Sequence, residues 1–289
     1  RHDVNEYVTF DELREYLGQD SSHDDAGLVR LFAEVASRQF DRWCLGRRFY
    51  PRTDTRYYDH PKDTTRLKVD DDLLAVATFT TENADTEITS GNYYLMCGGV
   101  YGLTPYDRIV LKTNSTQSHL SFSGTMQKAN AVTGTWGYHE DWDNAWEDSG
   151  DEVENNPLTA AGTSITVNDA DGADLYGDKP RFQECQLLKI GDEYVYVTAV
   201  NATGNTLTVV RGANGTTAAA HVQDVTIYVY RPMVNVVQAT LELAKYLYLN
   251  KDSTDGDVTM FPESGAVTVP QGVPVTVSLA VKAYKRRGL

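Results

Sequence analysis

"AVTGTWGYHEDW", residues 131–142, sets two glycines around a tryptophan and then a histidine among acids. His139 and Glu140 could form an acid–base pair, or the run could be a strand that ends in a charged loop. A zinc protease needs two histidines four apart on a helix, and this run has one. The other histidines, His2, His23, His60, His119 and His221, are scattered. The run therefore reads as the last strand of a β domain. Gly134 and Gly137 allow a bend or a close backbone approach around Trp136, Tyr138 ends the strand motif, and His139 opens the exit loop.

Upstream, from Thr55 to Tyr138, short apolar runs such as "TRYYDH", "TRLKV", "LLAVATFT", "NYYLM" and "RIVLKT" are separated by turn residues. They predict strands, paired antiparallel because the connections are too short for crossover helices. Before them, "TFDELREYLG" predicts a short helix with a capping box from Thr9 to Glu12. A second helix is predicted over 26–45, with Leu28, Leu31, Phe32, Val35, Phe40 and Trp43 on its apolar side. Arg30, Arg38 and Arg42 make its other face basic, and Arg47, Arg48 and Arg52 prolong that character. These arginines can pair with acids of a neighbouring subunit or of the same chain.

Downstream, "HEDWDNAWEDSGDEVENNP" (139–157) lacks strand or helix periodicity and reads as an acidic loop carrying Glu140, Asp141, Asp143, Glu147 and Asp148. Residues 158–231 give a further strand series, predicted as a small barrel or sandwich. "MVNVVQATLELAKYLYLNKD" returns to helix, with Val234, Val237, Leu241, Ala244, Leu247 and Tyr248 as its stripe. The segment from Pro274 to Arg287 fits a helix or a strand and ends in the cationic "KAYKRRGL". The fold class is α+β: N-terminal helices, an antiparallel β domain, an inserted all-β barrel or sandwich, and a C-terminal helix with an extended tail. The divisions fall at 1–157, 158–231 and 232–289.

The formal net charge of the 289 residues is -15, and the stretch from Ala129 to Asp178 holds twelve acids without a Lys or Arg. Such a surface disfavours gripping nucleic acid through its phosphates. Three cysteines, Cys44, Cys97 and Cys185, lie far apart, outside disulfide or zinc spacing. No apolar run approaches the length of a membrane span, and "RHDVNEYVTF" has no signal-peptide core.

Carboxylate pairs such as Asp141 and Asp143 resemble the apparatus of glycoside hydrolysis, but a loop without periodicity offers little rigidity. Trp142 and Trp146, four apart, suit either a sugar-stacking platform or the anchoring of a loop. "NDADGADLYGD" fails as a calcium loop because Val167 takes the first ligand position. Phosphate-loop, dinucleotide and nucleophile-elbow motifs are missing, so neither enzyme nor cofactor is predicted.

The stretches "YVTFDELREYLG", "DRWCLGRRFYPRTDTRYYD", "LKVDDDLLAVATF", "TPYDRIVLK", "VTGTWGY" and "VVQATLELAKYL", in that order, resemble the head-to-tail adaptor (connector, or head-completion) proteins of tailed bacteriophages. Residues 158–231 fall where family members often have a short link, so they are expected as an insertion. The resemblance implies a structural protein of the virion neck, present in the host cytoplasm before assembly. It implies a homo-oligomeric, dodecameric ring under the portal that joins the capsid vertex to a stopper or tail protein. Genomic DNA would pass through that ring without sequence-specific binding, and no membrane is involved. In such a ring the helix over 26–45, with Arg30, Arg38, Arg42, Arg47 and Arg48, would pack beside its neighbours. Lys282, Tyr284, Lys285, Arg286 and Arg287 would dock on the portal, or the tail is simply a solubilising end. The acids from Glu140 to Asp148 would face the lumen or a partner. The reading from another class is a carbohydrate-binding or tail-associated adhesion module built on residues 158–231 and the tryptophans.

Overall fold

The computed structural model describes residues 5–19, 25–251, 259–261, 266–268 and 272–286. In chain order these are α1 (Phe10–Tyr16), α2 (Ala26–Trp43), β1 (Arg52–Tyr58), β2 (Arg66–Thr81), β3 (Thr86–Glu87), β4 (Tyr93–Cys97), β5 (Val100–Tyr101), β6 (Tyr106–Leu111) and β7 (Asn130–Trp136). There follow β8 (Trp146–Glu152), β9 (Ser164–Thr166), β10 (Leu187–Ile190), β11 (Glu193–Asn201), β12 (Thr206–Val210), β13 (Thr226–Tyr230), α3 (Val234–Leu249), β14 (Thr259–Phe261), β15 (Ala266–Thr268) and α4 (Val275–Tyr284). The fold is mixed α+β, and its two large sheets are antiparallel.

The first sheet has the order β1-β7-β2-β6-β4-β5, with β3 on β2. Sequence patterning divides β2 into two strands because Asp70, Asp71 and Asp72 interrupt it. The strand is continuous, and its register against β6 shifts between Lys68 and Leu73, where the acids lie. Arg56 reaches Asp70 (3.2 Å) and Asp71 (2.6 Å), and Arg47 reaches Asp72 (2.8 Å), so the carboxylates are neutralised without leaving the strand.

The second sheet runs β8-β13-β10-β11-β12-β9. Leu188 and Ile190, Val195 and Val197, Leu207 and Val209, Ile227 and Val229 all enter one core. This period-two burial on a single inner face, with the Glu154 N–H donating to the Thr166 carbonyl (2.8 Å) between the two ends of the sheet, gives a barrel-like sheet, called the barrel below, whose end strands β8 and β9 do not pair. Its first strand corrects the expectation of a loop over 139–157. In β8 the buried residues are Ser149 and Asp151, so the alternation is polar and escapes a search for apolar periodicity. Ser149 Oγ donates to the Ile227 carbonyl (2.6 Å). Asp151 accepts from the Asn168 and Asp169 amides (both 2.9 Å) and from Arg181 (2.7 Å). Arg181 also donates to the Asp169 and Ala173 carbonyls, so a guanidinium sits at the centre of the loop that looked calcium-like.

At one end of the barrel Arg211 uses all five of its N–H groups: two on Glu193 (2.8 and 2.7 Å) and three on the carbonyls of Thr159, Gly162 and Ala219. Burial opposes ionisation of Glu193, yet Arg211, the Ala219 amide, His221 and the Gly212 amide outweigh it and hold the carboxyl at about 2.

The barrel's outer face is buried as well. Leu187, Tyr194 and Tyr230 belong to the same core as Val29, Ala33, Ala36 and Phe40 of α2, Val236, Ala239, Leu243 and Ala244 of α3, and Val277 and Tyr284 of α4. Phe49, fully buried, sits where these parts meet. Its ring contacts Phe40 (5.4 Å between centroids), Tyr7, Tyr138 and Tyr284 (5.7 Å each). Its N–H donates to Tyr7 Oη (2.9 Å), and its carbonyl accepts from Tyr230 Oη of the barrel (2.9 Å).

α3 packs the face that periodicity selects, with Val237, Leu241, Ala244 and Leu247 in the helical core and Val234 outside it. α2 follows its pattern in part: Phe32, Phe40 and Trp43 turn inward, and Leu28, Leu31 and Val35 do not. Leu28, Leu31 and Val35 are 36%, 47% and 39% exposed, and Val234 is 81% exposed. The face with small residues, Ala33 and Ala36 against Ala239 and Ala244, is the one that lets the helices approach closely.

Phe49→Ala is expected to cost about 3–5 kcal/mol in denaturant unfolding. Glu193→Gln, which leaves Arg211 without its counter-ion, should cost about 3–5 kcal/mol near neutrality. Because Glu193 is held below its ordinary value of 4.5, its contribution is present above that pH and lost as the pH falls toward 2. The variant should accordingly show a weaker acid dependence over that interval.

Candidate assembly surface

The strand motif is architectural. A Cβ on Gly134 would lie 2.2 Å from the Ala75 carbonyl oxygen, and one on Gly137, which has positive φ, 2.5 Å from that of Tyr50. β7 therefore passes against neighbouring backbone where only glycine fits. Trp136 fills the first sheet's core at 2% exposure, donates from Nε1 to the Asp54 carbonyl (3.0 Å), and carries the Arg56 guanidinium 4.1 Å above its ring. Tyr138 leaves the sheet for the helical core, between Phe49 and Tyr284.

His139 is buried with both nitrogens engaged: Nε2 donates to the Arg231 carbonyl (3.1 Å) and Nδ1 accepts from the Asp141 amide (3.1 Å). Desolvation lowers its pKa against the pull of those bonds and of Asp141 and Glu140, favouring the neutral ring. The histidine thus ties the end of the first sheet to the residue after β13. Among the acids that follow, Glu140 accepts from Tyr138 (3.1 Å) and Asp141 from Asn144 (2.9 Å), while Asp143 is exposed. Glu147 pairs with Arg231 (2.6 Å), and Asp148 accepts from the Gly150 amide (2.8 Å). The acidic segment is therefore divided, with Glu140, Asp141 and Asp143 in the exit turn and Glu147 and Asp148 on the barrel's edge strand. Trp146 stacks on Tyr194 (5.0 Å, 29°) and leans on Tyr230, and Trp142 meets Trp146 edge-on at 6.3 Å. Both tryptophans anchor this turn to the barrel. Glu152, Glu154 and Asp224 bring carboxylate oxygens within 4.8 Å of one another, with Gln223 donating to Glu154 (3.1 Å).

Of the arginines expected at a subunit interface, three are engaged within the chain. Arg30 pairs with Glu184 (2.5 Å). Arg38 donates to the Asn5 carbonyl (2.5 Å) and lies 3.4 Å from Asp41, whose carboxyl burial raises to about 6. Arg47 bridges Asp72 and the Tyr284 carbonyl (both 2.8 Å). Arg42 and Arg48 are exposed and form no ion pair among the described residues.

The C-terminal residues are likewise split. Tyr284 is buried, its hydroxyl accepting from Asn235 (3.1 Å), and Arg286 pairs with Asp71 and with Asp72 (3.6 Å). Lys282 and Lys285 are exposed. Arg287, like His2 and His23, lies outside the described residues. The feature that sequence reasoning passed over is the carboxylate triad of β2, which anchors Arg47, Arg56 and Arg286 together. Three consecutive acids inside an apolar strand were its signal.

Compared with models of protein families and with curated proteins, the chain matches none. Among the described residues, no helix is long and apolar enough to cross a membrane.

With the His139 pKa below its ordinary 6.5, this residue's contribution to stability is present above that pH and lost as the pH drops through and below it. Thermal melts should show a smaller loss on acidification for His139→Gln than for the parent chain.

Proposed function

We propose that this chain is a structural virion protein: a head-to-tail adaptor that forms a dodecameric ring under a portal, extends the DNA channel, and joins the capsid vertex to a stopper or tail. The observation that carries this is the second apolar face of α2. Leu28, Leu31 and Val35 lie on one side of an 18-residue helix and stay 36–47% exposed among the described residues. An exposed row of large aliphatic residues on a helix otherwise packed into the core fits a subunit contact. The arginines support the same placement in a narrower form: Arg42 and Arg48 remain for a neighbour, whereas Arg30, Arg38 and Arg47 hold the subunit together.

The acidic balance suits a channel through which DNA slides without adhering, because carboxylates repel phosphate. Lys282 and Lys285, presented beside the anchored Tyr284 and Arg286, are the described groups we assign to portal docking, with Arg287 as their continuation. The assembled neck of the virion is the corresponding location.

Negative-stain imaging of the purified protein with and without portal tests the proposal. Rings coaxial with the portal are expected, and a protein that stays monomeric and does not associate with portal would refute it. Replacing Lys282 and Lys285 by Glu should weaken portal association while leaving the melting temperature unchanged, since both side chains are exposed and neither forms an ion pair among the described residues.

A further inference from the structure

We infer that the cavity between the N-terminal segment, the barrel and the start of α3 binds an alkylammonium group, that is, a primary ammonium on a short apolar stem. The site is independent of the ring proposed above. It measures about 410 Å³, within the range of small-molecule sites. Residues 5–9 form one wall, residues 185–187 and 229–231 of the barrel another, and Glu12 of α1 with Val234 and Val237 of α3 complete it. Four carboxylates, those of Glu6, Glu12, Glu147 and Asp178, line the cavity against one cation, Arg231. That arginine is already engaged by Glu147 (2.6 Å) and Asp174 (2.8 Å). Among the described residues Glu6, Glu12 and Asp178 form no ion pair. Glu6 accepts from Tyr196 Oη (2.5 Å) and Glu12 from the Thr9 amide (2.7 Å), which leaves the second oxygen of each carboxylate for a ligand. Burial raises the Glu6 carboxyl above its ordinary value, against the Tyr196 bond and the pull of Arg38, so its charge lacks a close counter-ion.

Asn5 gives a second, independent sign of a missing donor. It is 3% exposed and stands in the same wall. Asn214 Nδ2 donates to the Pro51 carbonyl (2.9 Å), so Asn214 turns its oxygen toward Asn5 and accepts from Asn5 Nδ2 (2.6 Å). These two bonds fix the orientation of the Asn5 amide, and its Oδ1 is left buried without a hydrogen bond. A buried acceptor is costly to leave unpaired, and a donor entering the cavity relieves that cost. The acceptors converge from separate elements, the N-terminal segment, α1, β8 and the loop at Asp178. Such an arrangement suits the diverging N–H groups of an ammonium rather than the planar fork of a guanidinium. Tyr176 and Val234 also line the cavity and are 67% and 81% exposed, so its mouth is apolar and can cover a methylene stem. An acidic interior behind an apolar mouth matches an alkylamine and opposes an anion. The same group is carried by a free linear polyamine and by a lysine side chain of a protein partner.

The test is calorimetric titration of the full-length chain with spermidine, with the peptide acetyl-Gly-Lys-Gly-amide, and with the same peptide carrying norleucine in place of lysine. Saturable binding of spermidine or of the lysine peptide is expected, and none of the norleucine peptide. Spermidine alone would assign the site to free polyamines, and the lysine peptide to a protein partner. Combining Glu12→Gln with Asp178→Asn should weaken binding about tenfold or more, since each lost charge removes a charge-assisted hydrogen bond. Glutamine keeps the helix cap at position 12. If circular dichroism shows the double variant to be misfolded, Asp178→Asn alone serves, because that side chain is exposed. Asp85→Asn with Glu87→Gln removes the same charge from exposed positions outside the cavity and should leave the affinity unchanged. The inference is overturned by a chain that binds neither amine, by equal binding of the norleucine peptide, or by a double variant of undiminished affinity. An equal loss in the Asp85 and Glu87 variant would also overturn it, as the mark of diffuse attraction by net charge.

Discussion

Phe49 is the point through which the separate parts of the chain are joined. Its ring touches the N-terminal segment, α2, the end of β7 and α4, while its backbone amide and carbonyl are held by Tyr7 and by Tyr230 of the barrel. A buried backbone group must find a partner, and here the partners are tyrosine hydroxyls from distant positions rather than a ladder neighbour. The position of the barrel on the helices and the exit direction of the C-terminal residues are therefore set by one packed aromatic centre.

The barrel is buried on both faces for this reason. Its inner face carries the aliphatic pairs expected of a barrel-like sheet, and its outer face gives Leu187, Tyr194 and Tyr230 to the helical core. Its end strand β8 begins only ten residues after Trp136 ends β7. His139 and Trp142 secure that short passage by binding Arg231 and packing on Trp146. A chain built in this way has little freedom between its two sheets, in keeping with the ring subunit proposed above.

Much of this organisation could be read from the residues. Thr9 and Glu12 do form the capping box (3.1 and 2.7 Å), and the glycines around Trp136 do mark close backbone approach. Apart from β8, the strands of both sheets fall where apolar runs meet turn residues. α3 and its buried face were also legible, and α2 in part, since Phe32, Phe40 and Trp43 turn inward as its pattern predicts while Leu28, Leu31 and Val35 do not. In α2 the choice fell partly to the small residues Ala33 and Ala36, whose value depends on the opposing helix. β8 was hidden because its buried positions are Ser149 and Asp151, and polar residues signal burial only once their partners are known. The arginines were equally undecided, since a guanidinium on a helix says nothing about whether Glu184, Asp72 or another subunit will face it.

The sequence by itself determined the class of the fold, the approximate strands and helices, the character of residues 131–138 and the uneven charge. These depend on local rules: periodicity, capping, turn chemistry and the steric demand for glycine. Only the tertiary structure decided that Asp70–Asp72 would gather Arg47, Arg56 and Arg286, that His139 would be a buried tie, and that Leu28, Leu31 and Val35 would face outward. Each of those outcomes rests on groups far apart in sequence meeting at hydrogen-bonding or van der Waals distance, and no local pattern encodes such a meeting.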